Sequence, residues 1–283
     1  MAQTTIAFLG TGSMNGSIMA GLLAGGTDPA SVRATTRSQA SADRLRETLP
    51  EDQRGVRIFS GESDAEANRH AVEGADVVLL GVKPKGILDL AEEIAGSLKR
   101  GALVISVAAG IDLAMLEGAL AEGQPVIRSM PNTPSRVGRG VIALAPGTHC
   151  TRDQLALAHE VLKNSGTVID VREDQLDAVT GISGSGPAYA FFLAEAMQKA
   201  GESMGLDAET ARLLAKETVS GAGELLHAED ADPEALRVAV CSPNGTTERA
   251  INAFAEGGLV ELTERAARAS AERNAEMVEE LRR

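Results

Sequence analysis

The 283-residue sequence predicts an α/β fold, with a mostly parallel sheet in its first half and an all-helical second half. Three observations carry this expectation. Short runs rich in Val, Ile, Leu and Thr alternate with helix-length stretches up to residue 171. A glycine-rich turn, "GTGSMNG", follows the first such run directly. Beyond residue 171 the strand signals stop, and Ala, Leu, Glu and Arg dominate. The expected division is residues 1–168 for the sheet domain and 169–283 for the helical one.

The expected strands are residues 4–9, 32–36, 56–59, 77–81, 103–107, 126–130, 141–145 and 167–171. The runs "DVVLLGV" and "ALVISVAAG" are almost wholly apolar, as central parallel strands covered on both faces must be. Helical periodicity fills the gaps, as in "ILDLAEEIAGSL" (87–98) and "LAMLEGALAEG" (113–123). In the second half, breaks are expected at "GSGP", "GLDAE", "DADPEA", "CSPNGT" and "EGGL". The stretch 208–227 carries Ala211, Ala215, Ser220, Ala222 and Gly223, small residues that permit close helix approach and self-association as a dimer or higher oligomer.

Composition narrows the function. A net charge of −13 excludes a non-specific nucleic-acid binder, which needs a basic surface to neutralise phosphates. Five Phe, one Tyr and no Trp leave little for stacking bases. No run reaches the roughly 18 apolar residues that a bilayer span requires, and the first residues lead straight into a strand without a basic leader. Two cysteines, Cys150 and Cys241, form neither a disulfide framework nor a metal pattern. A cytoplasmic protein whose partners are small molecules and another copy of itself, with no metal and no membrane partner, is the expectation.

The glycine turn supplies the first candidate site. Gly10 permits the tight turn, Gly12 lets the backbone approach a pyrophosphate, and a helix opening at Ser13 and Met14 presents N–H groups to it. This is a Rossmann-type dinucleotide site, although Asn15 takes the third fingerprint position and the glycine falls one later, at Gly16. The second strand ends in Thr36, Arg37 and Ser38, where an NAD site usually places an acid for the ribose. A cation with hydroxyls suits a 2′-phosphate, so NADPH is expected, with NADH possible. The alternative is that Arg37 is only a solvated loop residue. "GVKPKG" puts Val82, Lys83 and Pro84 at the carboxyl end of a buried strand, where open α/β sheets bind ligands. In "RSMPNTPSRVG", two prolines bracket Asn132 and Thr133 in a rigid turn whose polar groups are expected to face the nicotinamide end.

Near the end of the chain, "VCSPNGTTERAINAF" (240–254) gathers Ser242, Thr246 and Thr247 around a helix start. Free N–H groups and hydroxyls make either a helix cap or a small-anion site, and one N-terminus can serve as both.

In order along the chain, "GTGSM", "GVKP", "MPNTP", "TGISGSGPAYAFF" and "VCSPNGTTERAI" make the sequence resemble the pyrroline-5-carboxylate reductases over essentially its whole length. The resemblance implies a Rossmann domain followed by a helical dimerisation domain through which two subunits interlock. It implies reduction of 1-pyrroline-5-carboxylate to proline by hydride transfer from NAD(P)H, the last step of proline biosynthesis. By the same resemblance, Ser242 and Thr247, with Asn244 and the N–H groups of Gly245 and Thr246, hold the substrate carboxylate. Thr180 lies near the substrate nitrogen, Glu229 is an acidic group facing it, and Asn68 contacts the adenosine ribose. The sequence departs from the family at Asn244, where relatives carry Gly, and at Asn15. Asn tolerates unusual backbone, so a positive φ or a backbone shift is expected at Asn244. Two rivals remain. A β-hydroxyacid dehydrogenase shares the two-domain plan, but Ala190 and Ala194 stand where its Lys and Asn belong. A non-catalytic dinucleotide sensor would have no use for the Ser242–Thr247 cluster.

Overall fold

Along strand β1 (Ile6–Leu9), successive side chains point to opposite sides of the sheet, and both sides are buried. The computed structural model describes residues 4–282. Its sheet adds β2 (Val32–Thr36), β3 (Arg57–Ser60), β4 (Val77–Leu80), β5 (Leu103–Ser106), β6 (Val126–Pro131), β7 (Gly140–Pro146) and β8 (Gly166–Asp170). The eight strands lie in the order β3-β2-β1-β4-β5-β6-β7-β8. Every neighbouring pair is parallel except β6 with β7. All eight expected strands are present, with ends displaced by a residue or two.

Helices fill both faces. Ile6 and Phe8 join one core with Ile18, Met19 and Leu22 of α1 (Ser13–Ala24). Ala7 and Leu9 join the other, which after α2 (Gln39–Thr48) draws on α3 (Ala67–Val72), α4 (Ile87–Ala95) and α5 (Leu113–Ala119). In α4 the buried residues Ile87, Leu90, Ala91 and Ile94 recur at the spacing of one helical face. Helix starts are chemically marked: Asp112 caps α5 by accepting from Met115 N–H (2.8 Å), and Thr151 and Gln154 form a capping box at α6 (Arg152–Leu162).

After β8 come α7 (Leu176–Val179) and a π-helical turn, Thr180–Gly184. The expected break at "GSGP" is therefore only Ser185, before α8 (Gly186–Ser203) resumes with Pro187 in its first turn, where a missing N–H costs nothing. The chain separates by contacts into two units, one holding residues up to 184 and from 270 onward, the other residues 185–269. The expected division after residue 168 falls inside β8, and the connector to Gly184 packs with the sheet unit.

The second unit contains α8, α9 (Ala208–Leu225), α10 (Pro233–Ala239), α11 (Thr246–Glu256) and the start of α12 (Leu259–Leu281). No strand occurs beyond Asp170 among the described residues. Helices α8 and α9 meet closely because Gly201 faces Ala211, and a Cβ on Gly201 would lie 3.2 Å from that of Ala211. Ala211 and Ala215 are buried there, whereas Ser220, Ala222 and Gly223 remain exposed. The last turns of α12 return to the first unit, where Asn274 donates to Asp177 (2.7 Å) and Arg282 pairs with Asp112 (2.6 Å).

Candidate active site

Strand order places the topological switch between β1 and β4, because the chain leaves β1 for β2 on one side and returns to β4 on the other. Open α/β sheets bind ligands in the crevice at the carboxyl ends of such a pair. Gly10 turns the chain there with φ +74°, and its N–H donates to Thr35 Oγ1 (3.0 Å). A Cβ on Gly10 would sit 2.4 Å from Val82 Cγ1, so no other residue fits without displacing the β4 exit. Gly12 is the N-cap of α1 and offers no side-chain cap, leaving the first N–H groups, at Ser13 and Met14, for an anion. Bare backbone before an uncapped helix suits a pyrophosphate.

The end of β2 is more selective than the sequence suggests. Thr36 is buried and its hydroxyl donates to Ser38 O (3.1 Å). Ser38 caps α2 by accepting from Ser41 N–H (3.3 Å). Of the three expected residues, only Arg37 holds its side chain out to solvent. Glu62 enters from the loop after β3 and accepts the Gln39 N–H (2.8 Å), placing a carboxylate at the start of α2. Asn68 donates to both carboxylate oxygens of Glu93 (3.3 and 3.1 Å), so its amide nitrogen is engaged within the protein. Lys83 is exposed and Pro84 opens a 3₁₀ turn after β4, with Gly86 N–H returned to Lys83 O (2.9 Å).

At the end of β6 the structure shows Asn132 tying the turn to the rest of the protein. Its amide donates to the backbone oxygen (3.0 Å) and hydroxyl (3.3 Å) of Ser183, and its oxygen accepts Val141 N–H (2.9 Å). The side chain is spent on its own protein, so only the backbone of Asn132 is left for a cofactor. It anchors the π turn that begins with Thr180, whose hydroxyl donates to Leu176 O (2.8 Å) and keeps its lone pairs. The start of the same connector is held by buried Arg128, which pairs with Glu173 (3.1 Å).

In the second unit the hydroxyl turn forms as expected. Asn244 has φ 57°, the first of the two outcomes named for it, and is the non-glycine residue with positive φ among the described residues. Glu248, in the first turn of α11, accepts the Asn244 N–H (2.7 Å). Gly245 N–H donates to Ser242 O (2.9 Å), and a Cβ there would lie 2.3 Å from Ser242 Oγ. Gly245 is thus forced by Ser242 and gives α11 an N-cap without a side chain. Thr246 and Thr247 follow in its first turn, with donors free of intrahelical acceptors. Glu229 lies exposed in the connection from α9 to α10.

Residues 173–277 match the family described as pyrroline-5-carboxylate reductase dimerisation, and residues 5–110 match NADP oxidoreductase, coenzyme F420-dependent. A pyrroline-5-carboxylate reductase of Pseudomonas aeruginosa is 39% identical over 282 residues, covering 99% of each chain. The chain belongs to the pyrroline-5-carboxylate reductase family. A reductase of Corynebacterium melassecola is 38% identical over 97% of this chain and 99% of its own. A solved pyrroline-5-carboxylate reductase from Coxiella burnetii superposes with a TM-score of 0.88 at 38% identity, covering 97% of this chain and 98% of that one. Against the family's motifs, sequence reasoning missed Thr35, Glu62, Glu93 and Glu248. Thr35 lies one residue before Thr36, the first residue singled out at the end of the second strand. The carboxylates of Glu62 and Glu93 reach their partners from 23 and 25 residues away in sequence, where no local spacing betrays them.

Proposed function

We propose that the protein reduces 1-pyrroline-5-carboxylate to proline with NADPH, and with NADH less well. The observation that carries this reading is the turn from Ser242 to Thr247, a compact anion receptor in a chain of this family. Its hydroxyls and the N–H groups of Thr246 and Thr247 receive the substrate carboxylate, which the helix dipole also favours; the Gly245 N–H, expected to join them, is instead taken by Ser242 O (2.9 Å). Thr180 offers lone pairs to the N–H of the protonated imine, and Glu229 is assigned to the same nitrogen. Bound nicotinamide supplies the hydride that reduces the imine carbon.

Holding the ring in place is the main task left to the protein. An iminium entering already protonated needs no general acid, and two of the four histidines are engaged with other partners: His70 pairs with Asp64 (2.8 Å) and His159 with Asp170 (2.7 Å) on the surface. The expected cofactor contacts are Gly10, Gly12, Ser13 and Met14 for the pyrophosphate, and Arg37 for the 2′-phosphate. Asn68, Val82, Lys83 and Pro84 complete them, with the backbone of Asn132. We place the enzyme in the cytoplasm as a dimer or larger assembly. Its cysteines are free, and burial pushes the Cys150 thiol up.

The first test is NADPH oxidation on adding 1-pyrroline-5-carboxylate. Thr247→Ala is then expected to raise KM for the imine by about tenfold or more, as loss of a hydrogen bond to a charged group does, while KM for NADPH stays put. An equal rise in both would reject the carboxylate assignment.

A further inference from the structure

Asn15 is fully buried, in the first turn of α1. Its amide nitrogen donates to Leu9 O (3.1 Å) and to Leu79 O (3.3 Å), so one side chain bridges β1 and β4 near their carboxyl ends. Leu9 O also accepts Gly81 N–H (2.9 Å), which closes the same junction from the β4 side. The Asn15 oxygen has no hydrogen-bond partner among the described residues, so the amide is kept at the cost of an unsatisfied buried acceptor.

Gly81 explains where the side chain goes. A Cβ on Gly81 would lie 2.3 Å from both Cγ and Nδ2 of Asn15 and 2.7 Å from its oxygen. Gly81 is not among the glycines with positive φ, so its backbone conformation does not require glycine. Asn15 does. The opposite strand exit is built in the same manner, with Val82 filling the space over Gly10. The two exits therefore interlock: Val82 sits where Gly10 has no side chain, and Asn15 where Gly81 has none. In the usual fingerprint the third glycine lets the helix pack closely on the strand. Here a hydrogen-bonding side chain takes that place, and the room it needs has been cleared from β4.

We propose that Asn15 is a positioning residue for the nucleotide, a pin that fixes β1 against β4 at the crevice, with Gly81 as its obligatory counterpart. The pin acts through the Gly10 turn and the Val82 exit and makes no contact with the ligand. This rests on reading the crevice as the NADPH site.

The test is a cycle of Asn15→Ala, Gly81→Ala and the double variant. For each, the melting temperature of the ligand-free protein, the NADPH dissociation constant from nucleotide fluorescence, and KM for the imine are measured. Gly81→Ala alone is expected to lower the melting temperature and weaken NADPH by about tenfold or more, because the methyl strikes a packed amide. Asn15→Ala alone is expected to weaken NADPH by about threefold, with KM for the imine unchanged. The double variant is expected to match Asn15→Ala, a rescue that only direct coupling of neighbours produces. Should Gly81→Ala fail to fold, a folded double variant is the same rescue. A double variant as impaired as Gly81→Ala, or an Asn15→Ala protein with wild-type NADPH affinity, would overturn the proposal. Absence of NADPH binding by the wild type would instead overturn the functional reading, while the melting temperatures still report the pair.

Discussion

Asn244 holds a conformation that costs most side chains roughly 1–2 kcal/mol, and two neighbours make it tenable. Glu248 accepts its N–H, and Gly245 beside it leaves Ser242 Oγ undisturbed. The departure from the family's Gly-Gly was legible in the sequence because asparagine is the side chain best suited to positive φ after glycine. Glu62 was not legible, since its link to Gln39 depends on β2 and β3 being neighbours. Glu62 bears on the cofactor as well. On the proposed reading its carboxylate would oppose a 2′-phosphate at the start of α2, and Arg37 would have to outweigh it. Arg37→Asp is expected to lower the NADPH-over-NADH ratio of kcat/KM by about tenfold or more, the worth of a charge-assisted hydrogen bond. An unchanged ratio would assign Arg37 to solvent alone.

Among the elements, α5 and the end of α12 are held by one carboxylate. Asp112 caps α5 through Met115 N–H and pairs with Arg282. Burial alone would push its carboxyl up, but the Met115 N–H and the Arg282 guanidinium outweigh this and hold it below the ordinary carboxylate value. A depressed folded-state value means that the stabilisation is complete above about pH 4, the unfolded value, and is lost as pH falls through the lower folded one. Asp112→Asn is expected to melt lower at pH 7, by about 2–4 °C for each kcal/mol lost. The gap to the wild type should close in acid below about pH 4. A constant gap from pH 7 to pH 3 would show that the charge contributes nothing. The strands were readable from their apolar runs, because parallel strands buried on both faces advertise themselves. The π turn was not. "GSGP" carries the residues of a break, and what keeps the chain helical is remote: Asn132, on the far side of β6, grips Ser183.

For the whole molecule, the two units differ in how they bury themselves. The sheet unit has two large cores. In the helical unit Phe191, Phe192, Leu213, Leu225 and Val260 lie exposed, while the buried hydrophobics are Ala211 and Ala215. An apolar surface of this kind calls for a second copy. Phe192→Glu is expected to shift the protein toward monomers in analytical ultracentrifugation and to cut turnover by about tenfold or more, since buried charge opposes association. NADPH affinity should survive. Unaltered sedimentation would remove Phe192 from the interface. The path of the chain between the units has a further consequence. It leaves the sheet unit after residue 184 and re-enters it at 270, where Met277 and Leu281 lie over Gly110 and Arg282 meets Asp112. The helical unit is therefore an insertion, and exchanging it between homologous genes demands matched junctions at both places. A chimera spliced once would combine one parent's α12 with the other's α5, and break the seam that joins them.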